Sequence, residues 1–515
     1  MDDSYAPKSV DVCLVLEATY PYVSGGVSVW VDQLIKAMPD VRFGIVYLGG
    51  SRDEERKKKF DVPSNVVVIE EINLFDFDTS LVNDKIKPAT ESRRSVYQSI
   101  HDFYYGNGPY AKVGAFWKIF DKIIADIDEW DHGLFMTDLE IWEMTEKGYE
   151  YLGGDTSFVD FFWMTRTLHM PLINLLKGFR RVPKASVYHT ICTGYAGAIA
   201  SYAAQKHQAK LALSEHGIYT KERIVEIARA NWIFDERRRE FDYDVGLGKL
   251  KRTWAEFFKF LSFVTYHSAD HITTLFSGNV RIQTAFGADA SKIDVIPNGI
   301  DPSRFSETRN LIHKRWETQT RGKTVGFIGR IVPIKDIKTL LRSARIVADE
   351  IPDVEFLLAG PYEETPEYYD ECREIMDLLD LHKNVKFLGM QDVKGFLPRI
   401  DCIVLTSISE GFPLVLLEAF ASGLPAVTTD VGACREIIYG RTAEDRALGP
   451  SGAVTSIMSP EETASAIVSV MSKVETMRRM GESGFKRTEK FYIFQDVMDR
   501  YKALYEDELI PRMVK

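Results

Sequence analysis

Cysteine is scarce in this chain. Cys13, Cys192, Cys372, Cys402 and Cys434 are spread over 515 positions without a C-x-x-C pair. An odd number at such spacing excludes a disulfide framework and fits reduced core thiols. Long apolar runs are missing too: no stretch approaches the roughly 18 residues that a spanning helix requires. The opening Met1-Asp2-Asp3-Ser4-Tyr5 has neither the basic start nor the apolar core of a secretory leader, so a cytoplasmic location is expected. Positive charge is in deficit, with 64 Lys and Arg against 75 Asp and Glu and a net charge of -11. Such a surface repels a nucleic-acid backbone but leaves room for a local basic site that holds a small phosphorylated ligand. The G-x-G-x-x-G dinucleotide fingerprint is absent as well, since Gly326-Phe327-Ile328-Gly329 runs into Arg330-Ile331, and this argues against a dehydrogenase.

What is present is an alternation of short apolar runs with helical patterns, the rhythm of parallel sheets covered by helices. At 515 residues two domains are expected, each of about 200 to 250 residues. Strands are predicted at 10–16, 43–48, 66–69, 186–188, 211–214, 271–275 and 293–296. A second series follows at 324–328, 355–359, 385–388, 402–405 and 426–428. The turn cluster Pro297-Asn298-Gly299-Ile300-Asp301-Pro302 separates the two series, and the polar stretch from Ser306 to Lys323 reads as a linker. The expected organisation is an N-terminal Rossmann-like domain over 1–305, a C-terminal one over 318–487, and a final helical segment over 488–515. Between about 75 and 184 the alternation gives way to aromatic-rich helical sequence that includes Phe116-Trp117, Trp130, Trp142 and Phe161-Phe162-Trp163. It reads as a helical insertion whose rings form core, with an acceptor or partner surface as the alternative. The aromatic helix from Thr253 to Tyr266, preceded by Lys249, Lys251 and Arg252, fits either a buried domain helix or one lying on a membrane surface.

Three loops at predicted strand ends carry chemistry. After the first strand comes Tyr22-Val23-Ser24-Gly25-Gly26-Val27, where paired glycines let backbone amides approach a phosphate. After the 324–328 strand come Arg330 and Lys335, a forked donor and a point charge suited to a diphosphate, with Asp336 as N-cap of the next helix. After the 402–405 strand, Glu410-Gly411-Phe412-Pro413-Leu414-Val415-Leu416-Leu417-Glu418 sets two carboxylates across a loop-to-helix turn. Pro413 is expected at the first helical position. The amides of Leu414 and Val415 would then be unpaired donors able to hold an anion. His216, at the end of the 211–214 strand, is a candidate to bond a hydroxyl or phosphate oxygen near the reacting carbon. His189 is a weaker candidate to face an acceptor.

Taken together, Gly25-Gly26, His216, Arg330, Lys335 and Glu410 to Glu418 resemble the site of retaining glycosyltransferases of family four, of the GT-B fold. The opening from Leu16 to Trp30, Glu410-Gly411-Phe412-Pro413, and the stretches Asp430 to Glu436 and Gly440 to Pro450 resemble the PelF-like group, which serves Pel exopolysaccharide synthesis. The resemblance implies an α/β architecture of two Rossmann-like domains facing a central cleft, with the last helix crossing back to the first domain. It implies a UDP-hexose donor, UDP-glucose favoured, and a saccharide acceptor. It also implies no metal or other cofactor, and recruitment to an inner-membrane synthase complex. By the same resemblance Glu418 would hold the ribose diol, and Arg330 and Lys335 the diphosphate. Glu410 with the Gly411-Phe412-Pro413 backbone would address the sugar, with Gly25, Gly26 and His216 completing the site. A sugar-nucleotide-binding subunit that regulates a membrane synthase stays open beside the enzyme, as does another GT-B activity such as a phosphorylase or epimerase.

Overall fold

A computed structural model describes residues 9–51, 56–77, 86–105, 109–151, 156–230, 232–233 and 247–509. The residues on which the leader expectation rests, Met1 to Tyr5, lie outside these. The described chain divides into two compact units, the first drawn from Met1–Thr273, Ile282–Asp294 and Tyr501–Lys515, the second from Thr274–Arg281 and Val295–Arg500.

The first unit is built on a seven-stranded sheet of β1 (Val10–Glu17), β2 (Phe43–Gly49), β3 (Val66–Asn73), β4 (Ala185–Thr190), β5 (Lys210–Glu215), β6 (His271–Thr274) and β7 (Ile293–Val295), ordered β3-β2-β1-β4-β5-β6-β7. Central β1 pairs in parallel with both β2 and β4, Val12 lying opposite Phe43 and Val187. Its interior residues are buried on both faces, which is why the strand reads as a near-continuous apolar run. The crossover between β3 and β4 contains the helical insertion, with helices at Glu91–Tyr105, Pro109–Ala125, His132–Thr137, Leu139–Tyr151 and Phe158–Phe179. Phe116, Trp117, Trp130 and Phe161 are buried in it, whereas Trp163 is 52% exposed. The helix Lys249–Ser268 buries Trp254, Phe257, Phe258, Leu261 and Val264, so the membrane-surface alternative for this segment is replaced by a core helix of the first unit.

The second unit holds a six-stranded sheet of β8 (Thr324–Ile328), β9 (Glu355–Ala359), β10 (Val385–Phe387), β11 (Cys402–Leu405), β12 (Ala426–Thr429) and β13 (Gly452–Thr455), ordered β10-β9-β8-β11-β12-β13. Strand β13 was not expected. It begins on a glycine and offers only Ala453 and Val454 as apolar residues, too short a run to stand out.

Two boundaries differ from expectation. The stretch from Ser306 to Lys323 is not a linker: its first part is the helix Ser306–Trp316, whose Trp316 is 1% exposed. One buried carboxylate ties the stretch down. Asp401 accepts from Trp316 Nε1 at 2.7 Å, Arg315 Nη2 at 2.5 Å, Lys323 N at 2.8 Å and Thr324 N at 3.0 Å. Charge-assisted bonds of this kind hold an otherwise polar stretch onto a core. The unit boundaries fall near Val295 and Arg500 instead of 305 and 487, because Ile300 N donates to Tyr492 O at 2.8 Å and Phe494 N to Ile300 O at 2.9 Å. Beyond them, Tyr501 packs edge-on to Trp30 within the first unit, with ring centroids 5.2 Å apart.

Candidate functional site

In the order β10-β9-β8-β11-β12-β13 the strand sequence reverses between β8 and β11, and open α/β sheets bind ligands at the carboxyl ends of strands at such a switch. The loops leaving β8 and β11 carry Arg330, Lys335 and Glu410. They are stitched together: Ile408 N donates to Ile334 O at 2.9 Å, and Thr406 Oγ1 donates to the carbonyls of Lys335 and Asp336 at 3.0 Å each. Asp336 caps the following helix as expected, its Oδ1 accepting from Thr339 N at 3.2 Å.

The centre of this frame is an ion pair. Lys335 Nζ lies 2.6 Å from Glu410 Oε1, and Ser407 Oγ donates to the same oxygen at 2.6 Å. Both charged side chains are largely covered, at 20% and 12% exposure. The loop after β12 backs the carboxylate. Gly432 has φ +53°, and a Cβ there would lie 2.2 Å from Glu410 O and 2.4 Å from Gly411 O, so only glycine lets the two backbones approach. Ala433 N donates to Gly411 O at 2.9 Å, and Thr429 Oγ1 to Ser407 O at 2.6 Å. Glu410 is therefore rigidly held with one oxygen engaged, an arrangement that presents a fixed acceptor and a neighbouring ammonium. Ser407, Thr406 and Thr429 were not anticipated. Isolated hydroxyl residues at strand ends carry no signal until topology brings three loops together.

The helix after Glu410 begins at Leu414, not at Pro413. Pro413 is the N-cap, at φ -74° and ψ 102°, because an extended residue is needed to turn the chain from the loop into the helix. The expectation for the next amides is unaffected. Among the described residues, neither Leu414 N nor Val415 N donates to another protein group, whereas Leu416 N donates to Pro413 O at 3.1 Å. Leu416, Leu417, Ala419, Phe420 and Ala421 bury one face of this helix. Gly484 of the helix Val474–Phe491 lets that helix come close, since a Cβ there would lie 2.7 Å from the Phe420 ring. Glu418 sits on the partly open face, and burial raises its carboxyl to about 7, against the pull of Arg304. A carboxyl poised near neutrality strengthens its case as a ligand group, because a bound donor hydroxyl can complete its ionisation.

Arg330 lies in the loop after β8. Its guanidinium is 54% exposed and makes paired bonds of 2.7 Å to both oxygens of Glu364, an acidic partner that sequence reading did not identify. An exposed pair is readily exchanged for a phosphate, because its net value is small.

In the first unit, Gly25 caps the helix Gly26–Ala37 in an extended conformation, and a Cβ on Gly25 or Gly26 would meet nothing within 4 Å. Packing therefore does not require either glycine. His216 follows β5, its ring set edge-on to Trp30 with centroids 4.5 Å apart and its buried Nε2 without a partner among the described residues. Burial lowers it to about 4, so the imidazole is neutral. His189 is fully buried, its Nε2 2.8 Å from Ser214 Oγ and its Nδ1 bonded to the Tyr505 hydroxyl. It braces the C-terminal segment and faces no acceptor. A further polar group, missed in the sequence because its members are far apart, gathers at the end of β1. Glu17 accepts from Tyr219 OH at 3.0 Å and lies 3.7 Å from Arg223 Nη2.

Residues 10–291 match the family described as Domain of unknown function (DUF3492), and residues 308–487 match Glycosyl transferases group 1. The chain is 24% identical over 300 residues to an MMP alpha-(1->4)-mannosyltransferase of Mycolicibacterium hassiacum, covering 58% of this chain and 65% of that protein. It is 33% identical over 199 residues to a mannosylfructose-phosphate synthase of Agrobacterium fabrum, covering 35% and 42%. The chain thus spans about half the length of the curated relatives it matches. Among solved structures, sucrose-phosphate synthase from Thermosynechococcus elongatus superposes with a TM-score of 0.55 at 14% identity, covering 96% of this chain and 98% of that one. Anabaena Alr3699/HepE in complex with UDP and glucose does so with a TM-score of 0.54 at 13% identity, covering 97% and 100%. These likenesses fix the fold as GT-B, two Rossmann-like α/β units in one chain.

Proposed function

The chain belongs to the DUF3492 family, and from the match of its residues 308–487 to Glycosyl transferases group 1 we propose that it is a nucleotide-sugar-dependent glycosyltransferase. On this reading it moves a hexosyl unit from a UDP-sugar, UDP-glucose favoured, to a saccharide acceptor with retention of configuration. The observation that carries the reading is the continuous stretch from Ser407 to Glu418. A clamped Lys335–Glu410 pair, two undonated amides and a carboxyl near neutrality lie together at the switch point of the second sheet. The matches to glycosyltransferases and the neighbour solved with UDP and glucose support it.

In this reading Glu418 accepts the ribose hydroxyls. The Leu414 and Val415 amides, Lys335 and Arg330 stabilise the diphosphate, so that its departure requires no metal. Lys335 changes partner as charge develops, from Glu410 toward the leaving phosphate, and an interaction strengthened in the transition state accelerates the chemical step. Glu410 and the Gly411-Phe412-Pro413 backbone orient the hexose, and Gly25, Gly26 and neutral His216 of the first unit keep the substrate-contact role that the resemblance implies. With no residue assigned as a covalent nucleophile, the acceptor attacks from the face the diphosphate leaves. The PelF-like stretches support an exopolysaccharide acceptor and a membrane synthase partner on the cytoplasmic side. No helix among the described residues is long and apolar enough to cross a membrane. The test is UDP release from UDP-glucose with and without oligosaccharide, and the anomeric configuration of the product by proton NMR. Acceptor-stimulated release with an α-linked product supports the reading. UDP binding without any release would make the chain a regulatory subunit.

A further inference from the structure

The helical insertion encloses a cavity of about 1060 Å³ that the transferase reading does not use. Small-molecule sites commonly occupy roughly 300–1,000 Å³, so this space is just above that range. Its walls come from the helices Glu91–Tyr105, Pro109–Ala125, Leu139–Tyr151, Phe158–Phe179 and Lys249–Ser268, all within the first unit. Phe116, Phe120, Phe135, Leu168, Phe257 and Phe260 supply much of an apolar lining. Protein interiors otherwise pack as densely as organic crystals, so a space of this size is unusual in a domain core.

Among the described lining residues, Lys112, Lys147, Arg252 and Lys259 outnumber one carboxylate, Glu256, in a chain whose net charge is -11. Glu256 is itself 2.7 Å from Lys259 Nζ. Lys147 and Arg252 are exposed on the lining, Arg252 Nη2 donating to Leu247 O at 3.1 Å, while Lys112 Nζ lies 5.9 Å from the Phe103 ring centroid. Deeper in, His169 Nδ1 is 2.6 Å from Thr165 O, and burial lowers the ring to about 4, so it is neutral.

An apolar chamber with exposed cations on its lining is the complement of one kind of molecule. We propose that the insertion binds a single-chain lipid phosphate, the hydrocarbon chain within the helical chamber and the phosphate at Lys147, Arg252 and their basic neighbours. An amphipathic helix of a partner protein is disfavoured, because it needs an open groove along its length, whereas helices contribute walls around this chamber. The site is separate from the loops after β8 and β11, and its test needs no turnover.

The full-length protein is titrated by calorimetry with decyl, dodecyl and tetradecyl phosphate below their micelle concentrations. Inorganic phosphate, dodecyltrimethylammonium and anionic phosphatidylglycerol vesicles serve as comparisons. Affinity should rise about fourfold per methylene, as expected for chain burial, with inorganic phosphate and the cationic amphiphile far weaker. Leu172→Trp, which fills the chamber, should remove the chain-length dependence. Lys147→Glu/Arg252→Glu should weaken dodecyl phosphate at least tenfold with an unchanged melting temperature. The exposed double variant keeps the test informative should the tryptophan variant fail to fold. Vesicle binding without monomer binding, affinity independent of chain length, or indifference to the double variant would overturn the proposal.

Discussion

Replacing Glu418 with glutamine should separate two properties that its carboxylate couples. Burial raises this group from 4.5 to about 7. The folded chain therefore keeps a proton that the unfolded chain has released, and its contribution to stability is complete below about pH 4.5 and lost as pH rises through 7. At about 1.4 kcal/mol per pH unit, ionising it in the folded chain costs at most about 3 kcal/mol, less what solvent contact at this partly open position returns. Glu418→Gln removes that cost, so the unliganded second unit should gain about 1–3 kcal/mol at pH 8 and nothing at pH 5. For a unit of this size that is a rise of roughly 3–8 °C at the higher pH. Binding of UDP should move the other way, weakening by about 1.5–3 kcal/mol, or about 10- to 150-fold, with the loss of hydrogen bonds to a charged acceptor. In the parent protein UDP affinity should also rise between pH 6 and 8, with a proton released on binding. Calorimetric melts at the two pH values and UDP titrations in buffers of different ionisation enthalpy measure all three. Equal melting temperatures at pH 8 together with unchanged UDP affinity would refute the reasoning.

Lys335→Ala should lower turnover more than UDP-sugar affinity, because the ammonium is already paired in the resting site and its gain comes as the diphosphate departs; a folded, fully active variant would remove it from that role. Gly25→Ala/Gly26→Ala should leave the melting temperature within about 1 °C, since no atom lies within 4 Å of either added methyl, yet reduce donor turnover; unchanged kinetics would mean no ligand approaches there. Since burial holds His216 near 4, the pH–rate profile of the parent enzyme should show no inflection from it between pH 6 and 7, and one that vanishes in His216→Asn would contradict the neutral assignment. Asp401→Asn should destabilise the second unit by about 3–5 kcal/mol in urea melts, as breaking a buried charged network does. A loss below about 1 kcal/mol would show that residues 306–323 are not anchored through it.

Sheet architecture was legible in the sequence where strands are buried on both faces. The apolar runs of β8, β9 and β11 coincide with their observed ends at 324–328, 355–359 and 402–405. Asp336 was legible as a cap for the same reason that it works, a short acceptor just before a helical pattern. The stretch from 306 to 323 was misread because its polar composition masked a tryptophan and an arginine that both reach a distant Asp401. The site was legible in part: Glu410, Glu418 and Lys335 are separable by motif, but the bond between Lys335 and Glu410, the hydroxyl of Ser407 and the pairing of Arg330 with Glu364 depend on the order of strands in the sheet. The cavity in the insertion was not legible at all, because rings that line a chamber and rings that fill a core share one helical pattern.

The most direct test of the central claim is the thermal stability of the full-length protein across UDP, UDP-glucose, UDP-N-acetylglucosamine, ADP-glucose and GDP-mannose, repeated on Glu418→Gln and Lys335→Ala. A ligand bound only by the folded state adds about 2.7 kcal/mol at a hundred times its dissociation constant. The nucleotide-sugar account predicts a rise with UDP and UDP-hexoses in the parent protein, largest for UDP-glucose and much reduced in Glu418→Gln. No stabilisation by any nucleotide sugar, or equal stabilisation in the parent and both variants, would contradict it.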